Sequence, residues 1–174
     1  MKMQIGEKAP DFEAEAYMNG KFEKTCLHDF RGKWVVLFFY PLDFTFVCPT
    51  EIEGFAKHEK EFEKLNAKII GASTDSIFSH KNWFERDLPQ IKYPVIGDTN
   101  HAVSSAYGVL IEEKGIALRG TFIIDPEGIL RYCVVSDLSV GRSAAETLRV
   151  LKALQTGELC QMDWEEGEKT LGKA

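Results

Sequence analysis

Long apolar runs and basic clusters are both missing from this sequence. Its longest apolar run, residues 34–40, has the length of a β-strand, whereas a membrane-spanning helix needs about 20 apolar residues. Lys and Arg number 21 against 27 Asp and Glu, which gives a formal net charge of −6. Because phosphate backbones are bound by clustered Lys and Arg, these absences argue against a membrane protein and against a nucleic-acid partner.

The sequence also has no internal repeat, no low-complexity stretch and no apolar segment near its N-terminus. Residues 1–7 do not resemble a signal peptide, so we expect a cytoplasmic protein. With 174 residues, of which 44% are hydrophobic and 28% charged, the chain has the composition of a globular protein. We expect one domain over residues 1–157 and a polar tail over residues 158–174.

Cysteine is scarce, and its spacing does not suggest ligand pairs. The four cysteines are Cys26, Cys48, Cys133 and Cys160. They form no C-x-x-C, which excludes a zinc ribbon and a dithiol redox motif, and the histidines form no H-E-x-x-H. We therefore expect neither a metal site nor a cofactor, and a special cysteine in this chain is expected to be a nucleophile.

Apolar patterns, turn residues and helix caps divide the chain into alternating strands and helices. Predicted strands cover residues 12–16, 22–26, 34–40, 68–73, 93–96, 120–125 and 129–135, and predicted helices cover residues 49–66, 77–86, 101–107 and 143–155. Asn19-Gly20 predicts a hairpin between the first two strands, and the turn at residues 126–128 makes the last two strands antiparallel. The pattern predicts a three-layer α/β fold with a mixed central sheet and an N-terminal hairpin.

Cys48 lies where an irregular segment enters the predicted helix 49–66. Unpaired N–H groups gather at a helix N-terminus and favour an anion, here a thiolate. Thr45 brings a hydroxyl that could donate to a substrate oxygen, while Pro41 and apolar neighbours could keep water from the sulfur. A buried structural cysteine is the alternative, but the cluster of Pro, Thr, Cys and Glu within residues 41–51 favours a reactive one.

This segment, with Pro41, Thr45 and Cys48 in the pattern P-x-x-x-T-x-x-C, resembles the typical 2-Cys peroxiredoxins. The resemblance is strongest to the group that contains the peroxidase component of bacterial alkyl hydroperoxide reductase, and it extends over nearly the whole chain. Further matching segments are Ser73-Thr-Asp75 followed by His80 and Trp83, residues 119–125, Val140-Gly-Arg-Ser143, and Gly157-Glu-Leu-Cys160 followed by Trp164. Several matches in the same order are far more specific than one short motif.

The resemblance implies a thioredoxin-like fold and the reduction of hydrogen peroxide and organic hydroperoxides. Cys48 would attack the peroxide and become a sulfenic acid. Cys160 of a partner chain would then condense with it to form an intersubunit disulfide. An external dithiol donor, such as a thioredoxin or a flavoprotein disulfide reductase, would restore both thiols.

The resemblance also implies the roles of the residues around Cys48. Thr45 and Arg119 would hydrogen-bond the peroxide, and Arg119 would also hold the thiolate. Pro41 would shield the sulfenate, and Glu51 would orient Arg119. Without the resemblance, Arg119 would be interpreted as a surface charge at the start of a strand and Glu51 as a helix-start charge.

Cys26, Cys133 and the helix that carries His80 are expected to have structural rather than catalytic roles. Cys133, within a strand, is predicted to be a core residue, and Cys26 has no catalytic context. His80 and Trp83 are expected to pack on one helix face, in a region that the resemblance places near the active site and the contact between dimers.

The resemblance further implies a homodimer, with five dimers closing into a decamer. Gln161 and Met162 replace the family's usual Pro-Ala after the second cysteine, which could alter the docking of the tail or the choice of reductase. Two other functions stay open: a binding or chaperone protein without turnover, and a dithiol–disulfide oxidoreductase, which the missing C-x-x-C disfavours.

Overall fold

A seven-stranded sheet forms the centre of the computed structural model, which describes residues 3–173. The strands are β1 (Glu13–Met18), β2 (Lys21–Cys26), β3 (Trp34–Phe39), β4 (Ala67–Ser73), β5 (Val95–Gly97), β6 (Leu110–Ile111), β7 (Ile116–Ala117), β8 (Arg119–Ile124) and β9 (Leu130–Ser136). The helices are α1 (Cys48–Lys57), α2 (Glu59–Lys64), α3 (Ile77–Asp87), α4 (Ala102–Ala106) and α5 (Ala144–Thr156), with a 3₁₀ turn over Leu27–Phe30.

The sheet is mixed, as predicted. Its strand order is β2-β1-β5-β4-β3-β8-β9. The β3–β4 and β4–β5 pairs are parallel, whereas β1–β2, β1–β5, β3–β8 and β8–β9 are antiparallel. The predicted N-terminal hairpin is confirmed, and positive φ angles at Asn19 (46°) and Gly20 (85°) give the turn its tight geometry.

Hydrophobic cores on both faces of the sheet confirm the three-layer arrangement. Alternate residues of β3 supply both cores, because successive side chains of a strand point to opposite faces. Val36 and Phe38 join the core beneath α1, α2, α3 and α5. Val35 and Leu37 join the core on the other face, with residues of α4 and the 3₁₀ turn. The strand is thus buried on both faces, as its continuous apolar sequence predicts.

The prediction of a single helix over residues 49–66 is wrong, because this segment forms two helices, α1 and α2, that are separated at His58. The backbone of His58 (φ −97°, ψ 2°) leaves the helical region. Ile52, Phe55 and Phe62 are nevertheless all buried, so both helices turn an apolar side to the core. No Pro or Gly stands at the break, so the sequence pattern gives no sign of it.

Serine caps and a glycine mark the ends of two other helices. The Ser76 side chain caps α3 by accepting from the backbone N–H of Ser79 at 3.2 Å. Ser143 caps α5 in the same way, and Gly157 ends that helix with φ 64°. The tail beyond Gly157 has no further helix or strand within the described residues.

The prediction that Cys133 is a core residue is wrong. Cys133 is exposed on β9, which is the edge strand of the sheet. On this strand Leu130 is buried, whereas Arg131, Cys133 and Val135 face solvent. The short hairpin of β6 and β7 was also not predicted, because two-residue strands leave no periodic pattern. Across residues 3–173, no helix is both long enough and apolar enough to cross a membrane.

Candidate active site

Cys48 is the first residue of α1, and its side chain is fully buried. An irregular segment, residues 40–47, connects β3 to this helix. Pro49 follows within the first turn, where its missing N–H has no intrahelical partner to lose. Phe44, within the connection, has a φ of 56°, a left-handed conformation that bulky residues seldom adopt. The sulfur therefore lies at a helix N-terminus beneath a tightly bent loop.

Arg119 brings a guanidinium to the sulfur from the neighbouring strand. Its Nη1 lies 3.5 Å from Cys48 Sγ and donates to Glu51 Oε2 at 2.6 Å. Its Nε donates to the carbonyl of Leu138 at 2.9 Å. Arg119 is buried, so this positive charge lies within the protein interior rather than on the surface.

Glu51 is the partner that holds this arginine. Its side chain is also buried, and it lies between two guanidinium groups, those of Arg119 and Arg142. Burial tends to raise the pKa of Glu51. The hydrogen bonds and charge of Arg142, followed by the charge of Arg119, outweigh that effect and hold the pKa below its usual value.

Arg142 is a site residue whose role no local sequence pattern predicts. It donates to Glu51 from its backbone N–H (2.7 Å), Nε (2.8 Å) and Nη2 (2.9 Å). Its Nη1 donates to the carbonyl of Gly120 and to Thr121 Oγ1. Its guanidinium carbon also lies 5.6 Å from the centre of the Phe38 ring. Arg142 thus joins the loop before α5 to α1 and β8.

The residue before Arg142 explains why this loop lies so close to Cys48. A Cβ atom on Gly141 would lie 3.3 Å from Val47 Cγ1, so a larger residue would press on the residue that precedes Cys48. The segment Val140-Gly-Arg-Ser143 was the available sequence signal. It marked the position but did not show which strand or helix the arginine would reach.

Thr45 and Pro41 lie in the irregular segment that leads to Cys48. Pro41 is buried, and Thr45 is half-buried. The Thr45 hydroxyl donates to the carbonyl of Leu42 at 2.9 Å. It must therefore rotate away from Leu42 before it can donate to a substrate.

A buried polar network anchors the same loop through Asp43. The carboxylate of Asp43 accepts from the hydroxyls of Tyr40 (2.8 Å) and Ser79 (2.7 Å) and faces His80 Nδ1 at 2.8 Å. The backbone N–H of Asp43 donates to Asp75 at 2.9 Å. Burial, followed by the charge of Asp43, raises the pKa of Asp75, although hydrogen bonds to its carboxylate oppose the shift.

His80 is therefore more than a packing residue. Its Nε2 faces the carbonyl of Ile96 at 3.0 Å, so both ring nitrogens have polar partners in the interior. Trp83 packs against Phe44, with ring centres 5.6 Å apart. Helix α3 thus supports the Cys48 loop through a polar residue and an aromatic residue.

Cys160 lies at another place in the fold. Its nearest polar neighbours are Thr156 Oγ1 at 3.5 Å and the carbonyls of Ala153 and Glu158, each at 3.8 Å. The sulfur is therefore seated at the C-terminal end of α5, whereas Cys48 lies at the N-terminal end of α1. Within residues 3–173, no group of three or more His, Cys, Asp or Glu side chains could hold a metal ion.

Comparison with known proteins identifies the family. Residues 5–133 match the model of the AhpC/TSA family. The chain is 53% identical over 178 residues to a protein named as a peroxiredoxin in the rubredoxin operon of Clostridium pasteurianum, covering 98% of this chain and 100% of that protein. It is 51% identical over 177 residues to the chloroplastic 2-Cys peroxiredoxin BAS1 of Spinacia oleracea, covering 96% of this chain and 67% of that protein. The chain is a peroxiredoxin of the AhpC/TSA family.

Solved peroxiredoxin structures share the fold. The reduced 2-Cys peroxiredoxin of Plasmodium vivax superposes with a TM-score of 0.92 at 36% identity, covering 97% of this chain and 92% of that chain. Enterococcus faecalis AhpC gives a TM-score of 0.86 at 39% identity, covering 89% of this chain and 94% of that chain. The fold is thus the thioredoxin-like fold of peroxiredoxins, and the protein is a thiol-dependent peroxidase.

Proposed function

We propose that Cys48 is the nucleophile of this peroxiredoxin. The observation that carries the proposal is the 3.5 Å approach of the buried Arg119 guanidinium to Cys48 Sγ at the start of α1. Among the described hydrogen bonds of the cysteines, Cys48 alone has an arginine partner. A fixed positive charge and a helix N-terminus both favour a sulfur anion.

The Cys48 thiolate attacks the terminal oxygen of the peroxide. The S–O bond forms as the O–O bond breaks, the leaving oxygen takes a proton as water or an alcohol, and the sulfur is oxidised to the sulfenic acid. Arg119, the rotated Thr45 hydroxyl and the Cys48 N–H stabilise the charge that moves onto the peroxide oxygens. Glu51 orients Arg119, and Pro41 shields the product from water.

Cys160 is proposed to resolve the sulfenic acid as an intersubunit disulfide with Cys48 of the partner subunit. Residues 1–157 would then form the peroxidase domain, and residues 158–174 a tail that carries the resolving cysteine. A dithiol donor then reduces the disulfide and restores both thiols. The proposed donor is a thioredoxin, a flavoprotein disulfide reductase or a similar protein. Hydrogen peroxide and organic hydroperoxides are the proposed substrates, and a cytoplasmic location remains a prediction.

Assembly into a homodimer, and of five dimers into a decamer, is part of the same proposal. The N-terminal segment bonds the first residue of the edge strand β9, Leu130, and the rest of its outer side is available for pairing with a second copy. A separate aromatic patch in the Cys48 loop, made of the exposed side chains of Phe44 and Phe46, supports a second contact. Two different contact surfaces are what a closed ring of dimers needs.

The nucleophile is tested by Cys48→Ser, with Cys133→Ser as the matched control. Serine has nearly the same shape, but its hydroxyl does not ionise at neutral pH. Peroxide consumption with excess dithiothreitol should vanish in Cys48→Ser and persist in Cys133→Ser, while circular dichroism shows both folded. Turnover retained in Cys48→Ser would refute the assignment.

Cys160 is tested by Cys160→Ser on a non-reducing gel after one equivalent of peroxide. Oxidised wild type should run as a covalent dimer and the variant as a monomer. A wild type that stays monomeric would show that the disulfide is within one chain or does not form.

A further inference from the structure

A cleft with a volume of about 440 Å³ opens beside the first residues of β4. Residues 67–69 of that strand line it, together with Tyr93 and Pro94, the two residues that precede β5. Charged residues of β2 and α2 line it as well. None of the lining residues takes part in the arrangement around Cys48, so the cleft is separate from the peroxidase site.

The cleft lies where the ladder between β4 and β5 stops. These strands are parallel, and their first pair is Gly71 with Val95. The N–H of Gly71 donates to the carbonyl of Pro94 at 2.9 Å. Because alternate residues of a strand bond the same neighbour, the next rung would use the backbone groups of Ile69. Pro94 has no N–H to donate to the Ile69 carbonyl, so the ladder ends there.

The backbone of Ile69 is therefore left without a partner in the chain. Within residues 3–173, neither its N–H nor its carbonyl has a hydrogen-bond partner, although the residue is only 3% exposed. Ala67, on the same side of β4, is in the same state and is 1% exposed. Buried backbone groups are almost always paired, so unpaired ones along a cleft indicate that their partners come from outside the chain. Donors and acceptors that alternate along a strand edge fit the backbone of another extended chain.

Two glutamates of the cleft favour a positively charged occupant. Glu59 and Glu63 lie one turn apart on α2, and both line the cleft. Burial, followed by the charge of Glu63, raises the pKa of Glu59, and the charges of Lys68 and Lys92 oppose this shift without reversing it. Lys68 lies 3.4 Å from Glu63, whereas Glu59 has no ion pair within residues 3–173. A cation at Glu59 would relieve the repulsion between the two carboxylates.

We propose that this cleft binds a short extended peptide segment that carries a basic side chain. The segment pairs its backbone with Ile69 and Ala67, and its basic group lies against Glu59. Two rungs take about four residues of the added strand, since each rung repeats after two residues. The formal net charge of −6 also favours a basic partner. The inference goes beyond the peroxidase reaction and does not depend on it.

The test uses a fluorescein-labelled peptide, acetyl-Thr-Val-Lys-Val-Thr-amide, and the reduced full-length protein. Fluorescence anisotropy should show saturable binding. The same peptide with Glu in place of Lys should bind about tenfold more weakly, because it loses the charged contact. A peptide with its three central amides N-methylated should also bind about tenfold more weakly, because it has no N–H to donate to the edge of β4.

Two protein variants locate the site. Pro94→Ala gives residue 94 an N–H that can donate to the Ile69 carbonyl, so the chain's own ladder then competes for this edge. Its affinity for the lysine peptide should fall about fivefold, the factor for one hydrogen bond, whereas Pro89→Ala, at an exposed proline outside the cleft, should have no effect. Glu59→Gln should weaken binding of the lysine peptide, and Glu61→Gln on the same helix should not. Peroxidase turnover should be unchanged in all four variants.

Amide hydrogen exchange gives a second readout. Exchange in residues 66–70 should slow when the lysine peptide saturates the wild-type protein, while exchange in α1 keeps its rate. The proposal is overturned if the peptide shows no saturable binding, or if the N-methylated peptide binds equally well. It is also overturned if Pro94→Ala binds as tightly as wild type, or no more weakly than Pro89→Ala. Equal binding of the lysine and glutamate peptides would refute the basic occupant.

Discussion

Arg142 gives Glu51 three hydrogen bonds, one from its backbone and two from its guanidinium, at 2.7–2.9 Å. Glu51 in turn accepts from Arg119, which contacts the sulfur of Cys48. One buried carboxylate thus joins the loop before α5, helix α1 and strand β8. The position of Arg119 therefore depends on Arg142, which does not itself touch Cys48.

Replacing Glu51 by Gln should be strongly destabilising. The amide keeps the shape but removes the charge that balances two buried guanidinium groups, and an unbalanced buried charge costs about 3–5 kcal/mol. Urea denaturation of the reduced protein should show a loss of about 3 kcal/mol in the free energy of unfolding. Peroxidase activity should also fall, because Arg119 loses the partner that orients it.

The matched control is Glu53→Gln on the same helix. Glu53 accepts one exposed hydrogen bond from Gln90, so its loss should change stability by less than about 1 kcal/mol. Equal effects of the two substitutions would show that the buried position of Glu51 has no special energetic role.

The charges of Glu51 and Asp75 should have opposite effects on the free energy of unfolding at neutral pH, and both effects should fade in acid. The pKa of Glu51 in the folded protein lies below 4.5, so the unfolded chain takes up the proton first and acid removes its stabilising effect. The stability gap between wild type and Glu51→Gln should therefore be widest near neutral pH and narrow as the pH falls below about 4.5. Urea titrations between about pH 3.5 and pH 7 would reveal this.

The pKa of Asp75 is raised above 3.8 by burial and by Asp43, so its charge opposes folding at neutral pH. Asp75→Asn should be more stable than wild type near pH 7, and the gain should disappear as the pH falls below about 4, where the unfolded chain is also protonated. A gain that is constant over this range would contradict the assignment.

The parts of the fold that the sequence predicted correctly depend on local chemistry. Asn19-Gly20 fixes a turn, and the apolar run of β3 needs two covered faces. Each signal lies within the segment that it shapes. The position of Cys48 at the start of a helix is also a local signal, because its motif lies within residues 41–51.

The features that the sequence did not predict depend on contacts far along the chain. Arg142 bonds a carboxylate 91 residues away, and His80 faces Asp43 across 37 residues. Cys133 has an apolar strand context, but its exposure follows from the edge position of β9, which is a property of the sheet order. Such pairings are set by topology, and local periodicity does not encode them.

Arg142→Lys should lower kcat/KM for peroxide by about tenfold. Lysine keeps the charge but has no planar fork to bond both oxygens of Glu51, so Glu51 and Arg119 lose their fixed positions. Steady-state assays would measure the loss, and Arg31→Lys, a change at an exposed arginine that bonds the carbonyl of Glu127, is the control. Full activity in Arg142→Lys would show that the bidentate contact is dispensable.

Phe46 is the most exposed of the aromatic residues next to the active-site loop. Its side chain is 95% exposed, and Phe44 (50%) is the other exposed aromatic residue of the same loop. Large exposed aromatic side chains in one patch indicate an interaction surface. Phe46→Glu would place a charge in a contact between dimers, and desolvating an unpaired charge is costly.

Sedimentation velocity of the reduced protein should therefore show decamers for wild type and dimers for Phe46→Glu. Phe46→Leu keeps an apolar side chain and should retain the decamer. Cys48→Ser should also retain it, because that substitution leaves the patch intact. A Phe46→Glu variant that still sediments as a decamer would show that the aromatic patch is not the contact between dimers. If reduced wild type sediments as a monomer, the proposed assembly itself is wrong.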